Sequence, residues 1–151
     1  MRLVCLVNVM SFAAGTASAF GPDQIAWLKD DLVGRSASQP IVIFAHMPMW
    51  DVYTPWGWST GDADQVLAPV RRFGSVSVLN GHVHQIAFKT EGHVVFHTAR
   101  STAYPQPSPG TASGPGPLTV PAESLPRWLG VTSVRVRPLP GLAQVDDQTL
   151  G

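Results

Sequence analysis

Apolar positions along the chain recur with two periods, and the switch between them marks the elements. Leu3 to Val9, "LVCLVNV", is almost continuously apolar and predicts a buried strand. In "GPDQIAWLKDDLVG" the apolar residues Ile25, Leu28 and Leu32 return at helical spacing, which predicts an amphipathic helix burying those three. Pro22 suits its first turn, Asp23 its positive end, and Gly34 its stop. "PIVIFAH" is an unbroken apolar run ending at His46, as expected of a strand covered on both faces. A tryptophan-rich loop, "MPMWDVYTPWGWSTG", leads into "DADQVLAPVRRFG", a second helix for which Asp62 or Thr60 is the expected cap. "SVSVLN" predicts another strand, and "GHVH" the turn after it. "QIAFKTEG" with "HVVFHTA" predicts a hairpin turning at Glu91-Gly92.

Beyond Tyr104 the pattern changes. Residues 104–121, "YPQPSPGTASGPGPLTVP", are too rich in Pro and Gly for a helix or central strand. They read as a long surface excursion within one domain, 1–151, because too little chain follows to build a second core. "AESLPRWLG" predicts a short helix, and "VTSVRVRPL" with "GLAQVDD" a closing hairpin. The order is βαβαβ followed by antiparallel strands: an α/β fold with a mixed sheet and flanking helices. Ligand sites of such sheets form at the carboxyl ends of the strands. His46 ends one strand and Asn80–His84 follow another, so both reach the same edge of the sheet.

Composition narrows the class. A hydrophobic fraction of 44% with 13% charged residues is that of a packed globule. Ten basic and ten acidic residues balance, with no basic run, which argues against a nucleic-acid binder. Cys5 is the single cysteine, which excludes an intrachain disulfide and a cysteine zinc cluster. No apolar run approaches the roughly 20 residues that span a bilayer. The N-terminus has two readings. "MRLVCLVNVMSFAAGTASAF" imitates a secretory signal ending at Ala17-Ser18-Ala19, or it is a strand and a small-residue loop. The short apolar run and the interrupting Asn8 favour the strand, and leave localisation open.

The chemistry concentrates in three of the five histidines. A metal site needs neutral imidazole nitrogens on rigid backbone, aimed at one point. A His-x-His turn supplies two, His82 and His84, with Gly81 expected to relieve crowding of the backbone; His46 at a neighbouring strand end supplies a third. Asn80 before Gly81 suits the shaping of a turn better than ligation. His97 is expected to be a satisfied structural histidine, and His93 an exposed turn residue. For "WDVYTPWGW" a wall over the histidine edge and ordinary packing beneath a loop stand level. Arg100 has the donor fork to meet a phosphate, although a solvated or ion-paired role is the expectation. Cys5 reads as inert core.

"IVIFAHMPMW" and "VLNGHVHQ" resemble the last two metal-binding blocks of the calcineurin-like metallophosphoesterases, a group that includes purple acid phosphatases and cyclic-nucleotide phosphodiesterases. The resemblance covers roughly residues 22–102. It implies part of a four-layer αββα sandwich and a centre of two divalent ions, of Fe, Mn or Zn type, that hydrolyses small-molecule phosphate mono- or diesters. By resemblance, His46 and His82 would ligate the second ion and His84 the first. The family's earlier blocks have no counterpart. No Asp is followed two residues later by His, and no Gly-Asn-His occurs. Gly61-Asp62-Ala63-Asp64 is one residue short of Gly-Asp-x-x-Asp and lies after His46. Two ions about 3.5–4 Å apart need a bridging carboxylate. The expectation is therefore the C-terminal portion of such a domain, inactive alone. The alternatives are a non-catalytic module holding one ion through three histidines, and a metal-free remnant.

Overall fold

The computed structural model describes residues 1–11, 13, 15–136 and 143–151. A five-stranded mixed sheet is built from β1 (Arg2–Cys5), β2 (Ile41–Phe44), β3 (Val76–Asn80), β4 (Ala87–Glu91) and β5 (Val94–Thr98), in the spatial order β1-β2-β3-β5-β4. The first three strands and β5 run parallel, and β4 returns antiparallel to β5. Helices α1 (Pro22–Leu32) and α2 (Ala63–Val70) make the crossovers between β1, β2 and β3. A short α3 (Leu125–Trp128) precedes a separate hairpin, β6 (Gly130–Val136) with β7 (Ala143–Thr149). Residues 137–142, which include the end of the expected "VTSVRVRPL" strand and the start of "GLAQVDD", lie outside the described residues, as do positions 12 and 14. The α/β organisation expected from the pattern is present.

Period-two alternation places Val4, Ile41, Ile43, Val76, Val78, Val94 and Phe96 in one core beneath the helices, all buried. Ile25, Leu28 and Leu32 of α1 meet them as the helical spacing requires, together with Val66, Leu67 and Val70 of α2. The opposite face is only partly covered. The β6–β7 hairpin touches it through Asp147, whose carboxylate bonds His97 at 3.1 Å and the Thr132 hydroxyl at 2.6 Å. Leu3, Phe44 and Val95 stay substantially exposed there, and Cys5 is exposed rather than core. Strand period explains Cys5: it shares a face with Leu3, while Val4 takes the helix side.

Two local expectations are corrected. The first strand ends at Cys5 instead of Val9. Its partner β2 ends at Phe44, and the Val7 backbone is taken by the Gln24 amide, which accepts from Val7 N at 2.8 Å and donates to Val7 O at 2.6 Å. Asp62 stands at the start of α2 but makes no side-chain cap bond. Its carboxylate instead accepts from Phe20 N and Gly21 N, at 2.9–3.1 Å, just ahead of α1. Two unclaimed amides of the neighbouring helix start outbid one cap bond, because the carboxylate can accept several donors at once.

Candidate metal centre

The parallel sheet brings His46 and the His82–His84 turn to one rim. Ala45 N donates to Leu79 O at 3.1 Å and Gly81 N to His46 O at 3.0 Å, so the ends of β2 and β3 stay laced beyond the strands proper. Two asparagines then grip the peptides around His46. Asn8 is fully buried; its amide nitrogen donates to Met47 O at 3.0 Å and to the Thr60 hydroxyl at 2.9 Å, and its oxygen accepts from Met47 N at 3.0 Å. Asn80 donates to Ala45 O and Met47 O, both at 2.9 Å. Asn80 thus braces the neighbouring strand end, beyond the local turn role expected of it. Asn8 looked like a blemish in an apolar run. A buried amide can be retained only where its bonds are met, and that was the one available hint of its role.

The turn itself is strained. His82 and His84 have φ of 65° and 55°, the left-handed region that costs a non-glycine residue about 1–2 kcal/mol. Gly81 does not share it: a Cβ there would lie 3.7 Å from His46 Nδ1, in ordinary contact. The expected crowding at Gly81 is therefore absent, and the strain falls on the histidines. Val83 between them is buried with Trp56 and Trp58 and pins the turn from below. Trp58 is a packing residue standing edge-on to His82 at 6.4 Å, while Trp56 also lines a 170 Å³ cavity with His82 and Tyr104.

His46 Nε2 and His82 Nδ1 lie 3.2 Å apart across 36 residues of sequence, with their rings edge to face. His84 Nδ1 lies 2.8 Å from Tyr104 O. A carbonyl can only accept, so Nδ1 carries the proton and Nε2 the lone pair. Gln106, within the Pro/Gly-rich excursion, donates to His82 O at 2.7 Å. Residues 104–106 therefore strap the turn. The three imidazoles disfavour protonation. Burial lowers the pKa of His46. His82 is lowered to about 4 by burial first, then by the charges of His46 and His84. His84 is lowered by burial, with its Tyr104 bond opposing and His46 adding. All three are neutral near pH 7, the form a metal requires.

The structure pairs His46 with His82 and does not bring His84 into a common ligand set with them. Two nitrogens sharing a tetrahedral zinc at 2.0–2.1 Å stand about 3.3–3.4 Å apart. The His46–His82 separation matches that, and equally suits an N–H···N hydrogen bond. Among the described residues no three His, Cys, Asp or Glu side chains stand in a joint ligating arrangement. Nearby carboxylates along the chain are engaged elsewhere: Asp51 with the Thr54 hydroxyl, Glu91 with Lys89, Asp62 on the α1 amides, and Asp64, almost fully exposed, beside Arg71 at 3.5 Å. Among the described residues three buried side-chain atoms lack protein partners: Asn80 Oδ1, Gln106 Oε1 and Trp58 Nε1. Of the other histidines, His97 is satisfied by Asp147 and His93 is exposed, as expected.

No protein-family model and no curated protein matches the chain. Among solved structures, a dimetal phosphatase from Danio rerio aligns at a TM-score of 0.46 and 24% identity. The alignment covers 54% of this chain and 27% of that one, so the chain spans about a quarter of its length. At that score it carries no argument about the site.

Proposed function

We propose that this chain carries the imidazole side of a metal-dependent phosphoesterase site. His46, His82 and His84 are its ligands, and the acidic ligands of a two-ion centre come from outside these residues. Under this reading residues 1–151 are the C-terminal portion of one calcineurin-like phosphoesterase domain, a partial αββα sandwich. Its helix layer and first sheet are those described, and the exposed face around Leu3, Phe44 and Val95 is where further sheet would pack. The observation that carries the reading is the approach of His46 Nε2 to His82 Nδ1 at 3.2 Å from two strand ends. The motif resemblance of "AHMP" and "NGHVH" supports it. A bound divalent ion would supply Lewis acidity toward a phosphate ester. The chain's own residues would hold and orient it: Tyr104 O keeps the His84 Nε2 lone pair available, and Asn8 and Asn80 fix the backbone of His46. With imidazoles alone, one ion is held and the phosphate ester is not turned over.

Calorimetric titration with Zn²⁺ and Mn²⁺ tests the ligands. One ion per chain is expected, at least tenfold weaker after His82→Ala; no binding at any pH from 6 to 8 would overturn the assignment. Hydrolysis of p-nitrophenyl phosphate and its bis ester with Mn²⁺ tests completeness. No turnover above background is expected, and turnover abolished by His82→Ala would overturn the claim that acidic ligands are lacking.

A further inference from the structure

The Pro/Gly-rich excursion encloses a second feature, distinct from the His46–His82 pair. Gln85 Nε2 donates to Gln106 O at 3.3 Å and Pro107 O at 2.8 Å, and Leu118 N donates to Pro105 O at 2.8 Å. These bonds fold the excursion back onto the sheet edge and leave a cavity of about 390 Å³ beneath it. Its lining combines apolar groups, from Ile86, Pro107, Leu118 and Trp128, with polar ones, from His84 and Arg100. We infer that this cavity binds a small organic oxyanion, a phosphate or carboxylate carrying a flat apolar group, anchored by Arg100 and seated against Trp128.

Arg100 is held in place without being neutralised. Its Nη1 donates to Arg127 O and Trp128 O, both at 3.3 Å, at the end of α3, and its aliphatic stem lies against Gly130. Among the described residues no carboxylate pairs with it, and its Nε and Nη2 have no partner. A half-buried guanidinium with one edge tethered and donors to spare is preorganised for an oxyanion. Trp128 is 42% exposed, a large apolar surface left beside a fixed cation. The volume lies in the range of small-ligand sites, which are mostly apolar with a few placed polar groups. A bare inorganic anion would leave the apolar lining unused. The inference does not depend on an ion at the histidines.

Phenyl phosphate, benzoate and inorganic phosphate, each titrated in EDTA and followed by tryptophan fluorescence and calorimetry, test it. Saturable binding of at least one aromatic anion is expected, at least tenfold tighter than inorganic phosphate. Whichever of phenyl phosphate and benzoate binds tighter identifies the oxyanion. Arg100→Ala should weaken it at least tenfold, and Ala112→Trp should block it by filling the cavity; His46→Ala should leave it unchanged. Circular dichroism checks that each variant folds. Should Arg100→Ala fail to fold, Ala112→Trp decides. Affinity within threefold of the parent in the folded Arg100 or Ala112 variant overturns the inference. Equal affinity for inorganic phosphate, no saturable binding, or loss of binding in His46→Ala overturns it too.

Discussion

Replacing Asn8 with alanine tests the bracing of His46 most directly. Asn8 has no exposed surface and makes three bonds, two of them to Met47, itself fully buried. Two acceptors survive its loss. Met47 O keeps the Asn80 donor, and Thr60 Oγ1 still bonds Pro48 O and Ser18. Met47 N–H has no such reserve, and would become an unsatisfied buried donor. An orphaned buried amide costs about 1–3 kcal/mol and each lost bond about 1 kcal/mol, so Asn8→Ala should cost about 3 kcal/mol. That is a large share of the roughly 5–15 kcal/mol that holds a typical domain. It corresponds to a fall in Tm of about 6–12 °C for a chain of this size. Asn8→Asp should not rescue: one oxygen would still accept from Met47 N, but the other would face Met47 O with a buried charge. Because the freed peptide adjoins His46, zinc affinity should also fall about tenfold, the order seen when outer partners of metal ligands are removed. Urea unfolding followed by circular dichroism measures the first quantity and zinc calorimetry the second. A stability loss under about 1 kcal/mol with unchanged zinc affinity would refute the idea that Asn8 braces His46.

The remaining expectations concern acid, strain and capping. The folded chain holds His82 neutral down to about pH 4, whereas an unfolded histidine takes its proton near 6.5. The unfolded state therefore binds more protons between those values. Stability should be full above pH 6.5, decline as pH falls from 6.5 to about 4, and level off below. His82→Asn, which tolerates the left-handed backbone, should flatten that decline in urea midpoints measured from pH 7.5 to 4.5; an equally steep loss would count against His82 as its source. Gly57→Ala should lower Tm by several degrees, since at φ 68° the new Cβ would stand 2.7 Å from Thr16 N and nearer still to Thr16 O; an unchanged melting curve would contradict this. Asp62→Ala should destabilise by about 1–3 kcal/mol in urea titrations, because Phe20 N and Gly21 N lose their acceptor; a neutral effect would show that water replaces it.

What could be read from the sequence was what short-range periodicity carries. The α1 face of Ile25, Leu28 and Leu32, the apolar strand around Ile41–Phe44 and the hairpin near Gly92 follow from spacing alone, because a helix or strand exposes its period in any eight residues. The histidines of one sheet edge were also legible, since parallel strands must end on the same side. Tertiary structure decided what depends on partners distant along the chain. Asp62 abandoned its own helix for the amides of Phe20 and Gly21, and Asn8 reached across 39 residues to Met47. The excursion that seemed a mere surface detour set the tautomer of His84 through Tyr104 and braced His82 through Gln106. A hydrogen bond is chosen by whichever donor and acceptor the packed chain brings within about 3 Å, and no local pattern encodes that distance.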